Sequence, residues 1–315
     1  MSNRLEKLKI LFAGTPDFAL PSLKKLTQDD FFEILAVITQ PDKKSGRGQI
    51  LKPTPVKQLA QESDIPVWQP GKISEIKDDI KKIEPDLAVV VAYGQIIPQD
   101  ILDLPKWGFV NLHASLLPKY RGANVIAAPI LNGDEYSGVT VMKMEAGLDT
   151  GPIIKQNKIK LEGDETLETL HNKLAKEGAD LLTSGLKEYV RGQITPKAQS
   201  DEKAGYAPKI TKAEGKIDWQ ENAEVIEKKV RAFNPFPGTY TRLENKNLKI
   251  KKVKPEILPI NKFPAGKIFL FKNELAVQCG QNALAIERLQ LEGKRETSAP
   301  EFLQGHPKIE GIILT

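Results

Sequence analysis

The sequence predicts a two-part chain: an α/β domain on a doubly wound, mostly parallel sheet, then a smaller β-barrel domain. Three observations predict it. Through the first half, short apolar runs alternate with helix-like segments, the rhythm of βαβ units. Beyond about residue 206 the runs become short and closely spaced, with turn residues between them and a single helical pattern. The length of 315 residues is about twice that of an average domain.

Taken in order, Leu8–Ala13 is the first expected strand and Asp17–Leu26 the helix after it, followed by the strand Ile34–Thr39 and the helix Pro55–Glu62. Leu87–Ala92 and Phe109–Leu112 are further short apolar runs expected to form strands, and a helix is expected over Asn124–Leu131. Val139–Met144 and Ile153–Ile159 read as strands around the turn Gly147-Leu148-Asp149-Thr150-Gly151. Glu165–Tyr189 carries helical spacing through Leu167, Leu170, Leu174, Leu181 and Leu182 and closes the first domain, residues 1–190. A polar, Gly- and Pro-punctuated stretch, 191–205, has the composition of a linker. The second domain, 206–315, holds one expected helix, Asn222–Phe233, and the strands Gly238–Leu243, Leu248–Val253, Lys267–Phe271, Leu275–Gln278 and Leu284–Leu289. These fit a small barrel of the oligonucleotide/oligosaccharide-binding (OB) type, and a sandwich fits the same runs.

Charge divides unevenly between the two parts. Residues 206–315 carry 19 Lys and Arg against 13 Asp and Glu, a net of +6, whereas residues 1–205 carry 27 against 28. A basic module beside a nearly neutral one is the electrostatic footprint of a polyanion partner, although a lysine-rich solvated surface gives the same count. A single cysteine, Cys279, excludes a disulfide scaffold and points to a reducing, cytoplasmic compartment. No apolar stretch approaches the roughly 18 residues of a membrane span, and Met1 to Lys9 mixes Arg4, Lys7 and Lys9 with Glu6, unlike a signal peptide.

Several chemistries drop out. Gly14-Thr15-Pro16-Asp17-Phe18 follows the first strand but lacks the later glycines of a dinucleotide fingerprint, and Gly46-Arg47-Gly48-Gln49 lacks the lysine and hydroxyl of a P-loop. Three histidines (His113, His171, His306) and one cysteine show no metal-ligand spacing, and no G-x-S-x-G elbow occurs.

What remains is Asn111-Leu112-His113-Ala114-Ser115-Leu116-Leu117-Pro118, where an apolar strand runs into a polar loop. Asn111 and His113 are two apart and share one face of an extended backbone, at the carboxyl end where open parallel sheets bind ligands. An amide that donates to a developing oxyanion beside an imidazole that moves a proton suits acyl or one-carbon transfer. Asp149, in its glycine-flanked turn, supplies a carboxylate to hold the imidazole. Taken singly, each of the three also fits a structural role: strand-end Asn and His satisfying backbone groups, and Asp forming an Asx turn.

The run from Asn111 through Gln156, with Asn-x-His, Ser-Leu-Leu-Pro and a later Asp-x-Gly, resembles the formyltransferase family that uses 10-formyltetrahydrofolate. Phe12-Ala-Gly-Thr-Pro-Asp-Phe18, Thr39-Gln-Pro-Asp42 with Gly46-Arg47-Gly48, Val89-Val-Val-Ala-Tyr-Gly94, Lys216-Ile-Asp-Trp219 and Arg231-Ala-Phe-Asn-Pro235 resemble the members that formylate methionine carried by initiator tRNA. The resemblance implies a Rossmann-like catalytic domain followed by an OB-like tRNA-binding domain, a catalytic trio of Asn111, His113 and Asp149, and 10-formyltetrahydrofolate as formyl donor with no metal. It places the folate near Val90, Val91, Tyr93, Gly94, Ile96 and Ile97 and beside Ser115, Leu116, Leu117 and Pro118. It also implies that Gln40 to Lys52 is a flexible loop gripping the acceptor end of tRNA, with Lys43, Lys44, Arg47 and Lys52 on phosphates. Lys249 and Lys251 alternate with Leu248 and Ile250, so they are expected to form an outward basic stripe on the second domain.

One departure is visible. After Lys119-Tyr120-Arg121-Gly122-Ala123 the family pattern implies Ala-Pro, and this chain has Asn124-Val125, which removes a proline expected to preorganise a first helical turn. Two other readings compete: a sugar-nucleotide N-formyltransferase with the same trio and another acceptor, and a tRNA- or folate-binding module without catalysis.

Overall fold

The computed structural model describes residues 7–45 and 49–315. Gly46, Arg47 and Gly48 lie outside the described residues. The chain divides into two compact units that are not contiguous in sequence. The first takes the chain up to Val125 together with Ser137–Ile159 and His171–Ala207; the second takes Ile126–Tyr136, Lys160–Leu170 and Pro208–Thr315. Residues 191–205, which read as a linker, therefore belong to the first unit.

The first unit is organised by strands β1 (Leu8–Gly14), β2 (Phe32–Ile38), β3 (Lys43–Ser45), β4 (Ile50–Lys52), β5 (Val67–Trp68), β6 (Leu87–Val91), β7 (Phe109–His113), β8 (Arg121–Gly122), β9 (Tyr136–Lys143), β10 (Ile153–Lys160) and β11 (Tyr206–Ala207). Seven of them form one sheet in the order β10-β9-β7-β6-β1-β2-β5. β7, β6, β1, β2 and β5 are parallel, and β9 turns antiparallel against β7. The chain builds outward from β1 to β2 and β5 on one side, then crosses to β6 and β7 on the other. That reversal of strand order marks where open sheets of this kind bind ligands.

Continuous apolar sequence becomes two-faced burial. Ile10 to Gly14 of β1 and all of β6 and β7 are buried. Leu11 and Ala13 of β1 pack with Ala88 and Val90 of β6, with Ile80 from α3 (Lys77–Ile83) and with Ile101 from α4 (Gln99–Leu102). Burying a side chain of this size contributes on the order of 1.5–3 kcal/mol. The first expected helix is split, a 3-10 turn over Asp17–Ala19 preceding α1 (Leu20–Thr27). Pro55–Glu62 forms α2, as its sequence predicts: Pro55 occupies the first turn, and the Thr54 hydroxyl accepts from Lys57 N at 3.1 Å.

Other boundaries shift for local reasons. The helix expected from Asn124 begins at Ala127, as α5 (Ala127–Asn132), because Asn124 N is engaged with the Ala207 carbonyl at 3.1 Å. Val125 thus precedes the helix, and the missing proline does not fall in its first turn. The long helix α6 spans Leu167–Val190; Glu165 stays outside it, its carboxylate accepting from Glu162 N and Gly163 N at 2.8 and 3.0 Å.

In the second unit, α7 (Ala223–Ala232) packs against a sheet of β12 (Thr239–Leu243), β13 (Lys246–Val253), β16 (Ala283–Leu291), β15 (Glu274–Gln278) and β14 (Ile268–Phe271), in that spatial order, with β17 (Thr297–Ser298) paired to β16. Every pairing is antiparallel. The terminal segment 311–315 joins the two outer strands: Ile268 N donates to the Ile312 carbonyl, and Arg242 and Thr315 exchange main-chain hydrogen bonds. That closes the sheet around Ile226 and Val230 of α7, Leu248, Ile250 and Leu289. The helix α8 (Ala299–Gly305) was not anticipated, although Ser298-Ala299-Pro300-Glu301 carries its capping box and first-turn proline.

Candidate active site

β7 brings Asn111 and His113 to the carboxyl edge of the sheet. Asn111 is opposite Val90 of β6 and Met142 of β9, and His113 is opposite Thr140. Both are buried, and the Asn111 carboxamide makes no hydrogen bond to another described residue. It is a donor held at the edge of the sheet without a partner among the described residues.

The His113 ring is held on both sides. Nε2 lies 2.9 Å from the Tyr120 carbonyl, and because a carbonyl only accepts, Nε2 carries the hydrogen. Nδ1 faces Asp149 Oδ1 at 3.6 Å. Asp149 Oδ2 accepts from Gly122 N at 2.8 Å, so the carboxylate is fixed by one oxygen and turns the other toward the ring. Asp149 has a left-handed backbone, with φ of 53°. Its turn closes tightly on Gly151, where a Cβ would come within 1.8 Å of the Lys143 carbonyl.

The loop after β7 is braced from below. Thr140 Oγ1 donates to the Ser115 carbonyl at 2.6 Å and accepts from Leu117 N, and Gln156 Nε2 donates to the Leu117 carbonyl at 2.9 Å. Ser115 Oγ donates to the Lys119 carbonyl at 2.7 Å. The expected folate-lining residues therefore separate into two kinds. Val90, Val91, Tyr93, Ile97, Ser115 and Leu117 are buried, and Val90, Tyr93 and Ile97 belong to the hydrophobic core beside the sheet. Gly94 is exposed with φ of 84°, Ile96 is 92% exposed, and Leu116 and Pro118 are half-buried. These four offer accessible surface. Burial pushes the Tyr93 phenol up to about 12, and its hydroxyl has no partner among the described residues.

Lys43 and Lys44 in β3 and Lys52 in β4 are exposed. Where a flexible loop was expected, the described residues form a hairpin, Lys43 paired with Lys52 and Lys44 with Leu51. Arg47, expected to join them, lies outside the described residues. Asp42 anchors the hairpin base, accepting from Lys57 Nζ at 2.6 Å and Gln69 Nε2 at 2.7 Å. Those two bonds hold its carboxyl below the ordinary carboxylate value. In β13 the expected alternation holds for Leu248, Lys249 and Ile250 and then breaks. An irregularity after Ile250 leaves Lys251 half-buried and puts Lys252 outward, 2.8 Å from Glu287.

Sequence reading did not single out Arg121, Thr140 or Gln199. Arg121 stands in a quoted motif, but its partners lie at Gln199 and Asp201, beyond the reach of any local pattern. Cys279 is buried in the second unit, and burial pushes its thiol up to about 12, which disfavours the thiolate. Among the described residues no three His, Cys, Asp or Glu side chains gather to hold a metal, and no helix is long and apolar enough to cross a membrane.

Residues 6–186 match the family model described as formyl transferase, and residues 209–307 match its C-terminal domain. The chain belongs to the formyl transferase family. Among its sequence relatives are the methionyl-tRNA formyltransferases of Caldanaerobacter subterraneus subsp. tengcongensis, 44% identical over 98% of this chain and 100% of that protein, and of Geobacter metallireducens, 43% identical over 98% of each. In fold it is similar to an N-formyltransferase from Helicobacter canadensis solved with folinic acid and dTDP-3-aminofucose. That likeness has a TM-score of 0.65 at 20% identity, covering 89% of this chain and 99% of the other.

Proposed function

We propose that the protein transfers the formyl group of 10-formyltetrahydrofolate to the α-amine of methionine esterified to initiator tRNA. The observation that carries the chemistry is the convergence of Asn111, His113 and Asp149 at the end of β7. The acceptor is taken from the named activity of the full-length relatives. Cytoplasmic placement goes with that acceptor, a substrate of translation.

In this reading the amine attacks the formyl carbon, forming the new C–N bond and a tetrahedral oxyanion. Asn111, whose amide bonds no other described residue, donates to that oxygen. His113 stabilises the charge: with Nε2 bound to the Tyr120 carbonyl, a proton on Nδ1 lies toward Asp149. Collapse breaks the bond to folate N10, which takes up a proton as the amine loses one. The accessible surface of Gly94, Ile96, Leu116 and Pro118, at the same edge of the sheet, would receive the folate. Lys43, Lys44 and Lys52 would meet the acceptor end of tRNA, and Lys249 and Lys251 its backbone.

The test is an assay of purified protein with 10-formyltetrahydrofolate and, in parallel, charged initiator tRNA or an amino-sugar nucleotide. Formyl-methionyl-tRNA alone is the expected product. Formylation of the sugar would move the protein to the other acceptor class, and turnover of neither would leave a binding module.

A further inference from the structure

The Asp149 turn is gripped by a residue from a stretch whose composition reads as a linker. Gln199 Nε2 donates to the Asp149 carbonyl at 2.9 Å and to the Gly151 carbonyl at 2.8 Å. Its Oε1 accepts from Arg121 Nε at 3.2 Å and Nη2 at 3.0 Å. Every donor and acceptor direction of this amide is used, and its orientation is determined: carbonyls require the NH₂ group, and the guanidinium requires the oxygen. Arg121 is 2% exposed and also donates to Asp201 Oδ1 at 2.9 Å. Its neighbour Gly122 donates to the Asp149 carboxylate, and β8 pairs with β11 immediately beyond. Main chain and side chain of Asp149 are thus held by one assembly, which keeps a non-glycine residue at φ of 53°.

We infer that Gln199 is a positioning residue: it sets where the Asp149 carboxylate meets His113, and Arg121 fixes the amide that does so. The inference rests on the proposed role of Asp149. A buried guanidinium holding a saturated amide is more than a chain crossing needs, and the amide grips the two carbonyls that flank Thr150. A small displacement of such a group costs on the order of tenfold to a hundredfold in rate without touching substrate.

The experiment compares the full-length protein with Gln199→Ala, Gln199→Glu, Asp149→Asn and the double variant Gln199→Ala/Asp149→Asn, measuring kcat, KM for each substrate and melting temperature. Gln199→Ala is expected to lower kcat about tenfold or more with both KM values within about twofold. Gln199→Glu keeps the size and the bond to Arg121 but turns an oxygen toward two carbonyls, so it is expected to fail as Ala does. A packing role would be restored by Glu. In the Asp149→Asn background the Gln199 change is expected to add nothing, because its effect runs through the carboxylate. Wild-type kcat in Gln199→Ala or Gln199→Glu beside an impaired Asp149→Asn overturns the inference, as does a full additional loss in the double variant. Wild-type turnover in Asp149→Asn overturns the reading of Asp149 itself, and the inference with it.

Discussion

Gly122 N donates to Asp149 Oδ2 at 2.8 Å, leaving Oδ1 turned to the His113 ring 3.6 Å away. A main-chain donor from β8 therefore decides which oxygen of the carboxylate meets the imidazole. Gly122 has φ of 112°, and a Cβ there would come within 2.8 Å of the Ala207 carbonyl. Gly122→Ala is expected to cost about 1–3 kcal/mol in urea unfolding and to lower kcat, since backbone relief moves the N–H away from Asp149. Wild-type kcat in a folded Gly122→Ala protein would dissociate the two residues.

Asn111→Ala removes an amide that no other described residue engages, so the fold loses little hydrogen bonding. Turnover is expected to fall by about 10² to 10³ with folate binding retained, the usual cost of one oxyanion donor. Single-turnover rates alongside folate titration separate the effects, and equal losses in both would assign Asn111 to binding.

The Tyr93 phenol is raised to about 12 by burial, against an ordinary value of 10.0. A raised folded-state value stabilises the protein while the phenol stays neutral, and that contribution is lost as pH rises from about 10 through about 12. Because the hydroxyl has no partner among the described residues, Tyr93→Phe is expected to be neutral or stabilising near pH 7 and to flatten the alkaline loss of stability. Denaturation midpoints from pH 7 to 11 provide the check; a clear loss near pH 7 would reveal a bond to the hydroxyl in solution.

Lys43 and Lys52 lie directly opposite one another, an unfavourable like-charge pair in the free hairpin. Lys43→Gln/Lys52→Gln is therefore expected to leave stability unchanged or slightly higher. If both meet phosphates, log affinity for charged tRNA against log salt should lose a slope of roughly 0.7 to 0.9 per lysine. Titrations at several salt concentrations, with folate binding as control, measure it. An unchanged slope would make the hairpin a solvated surface.

The short apolar runs at Leu87 and Phe109 became buried parallel strands, and the two-residue spacing of Asn111 and His113 became one face at the sheet edge. Those features were legible because each follows from a local period. The hairpin at Lys43 was not, since its strands, Lys43–Ser45 and Ile50–Lys52, are three residues each, too short to carry a period. The break of alternation at Lys251 was equally hidden, because a bulge depends on the partner strand.

By itself the sequence determined which segments could be buried, the alternation of strand and helix, and the residue types able to stabilise an oxyanion. Only the tertiary structure decided that residues 126–136 and 160–170 join the second unit, that 191–205 belongs to the first, and that Arg121 and Gln199 hold the Asp149 turn. The reason is physical. Burial and periodicity are set by neighbours along the chain, whereas a polar side chain far away in sequence finds its partner only after the strands between them have packed.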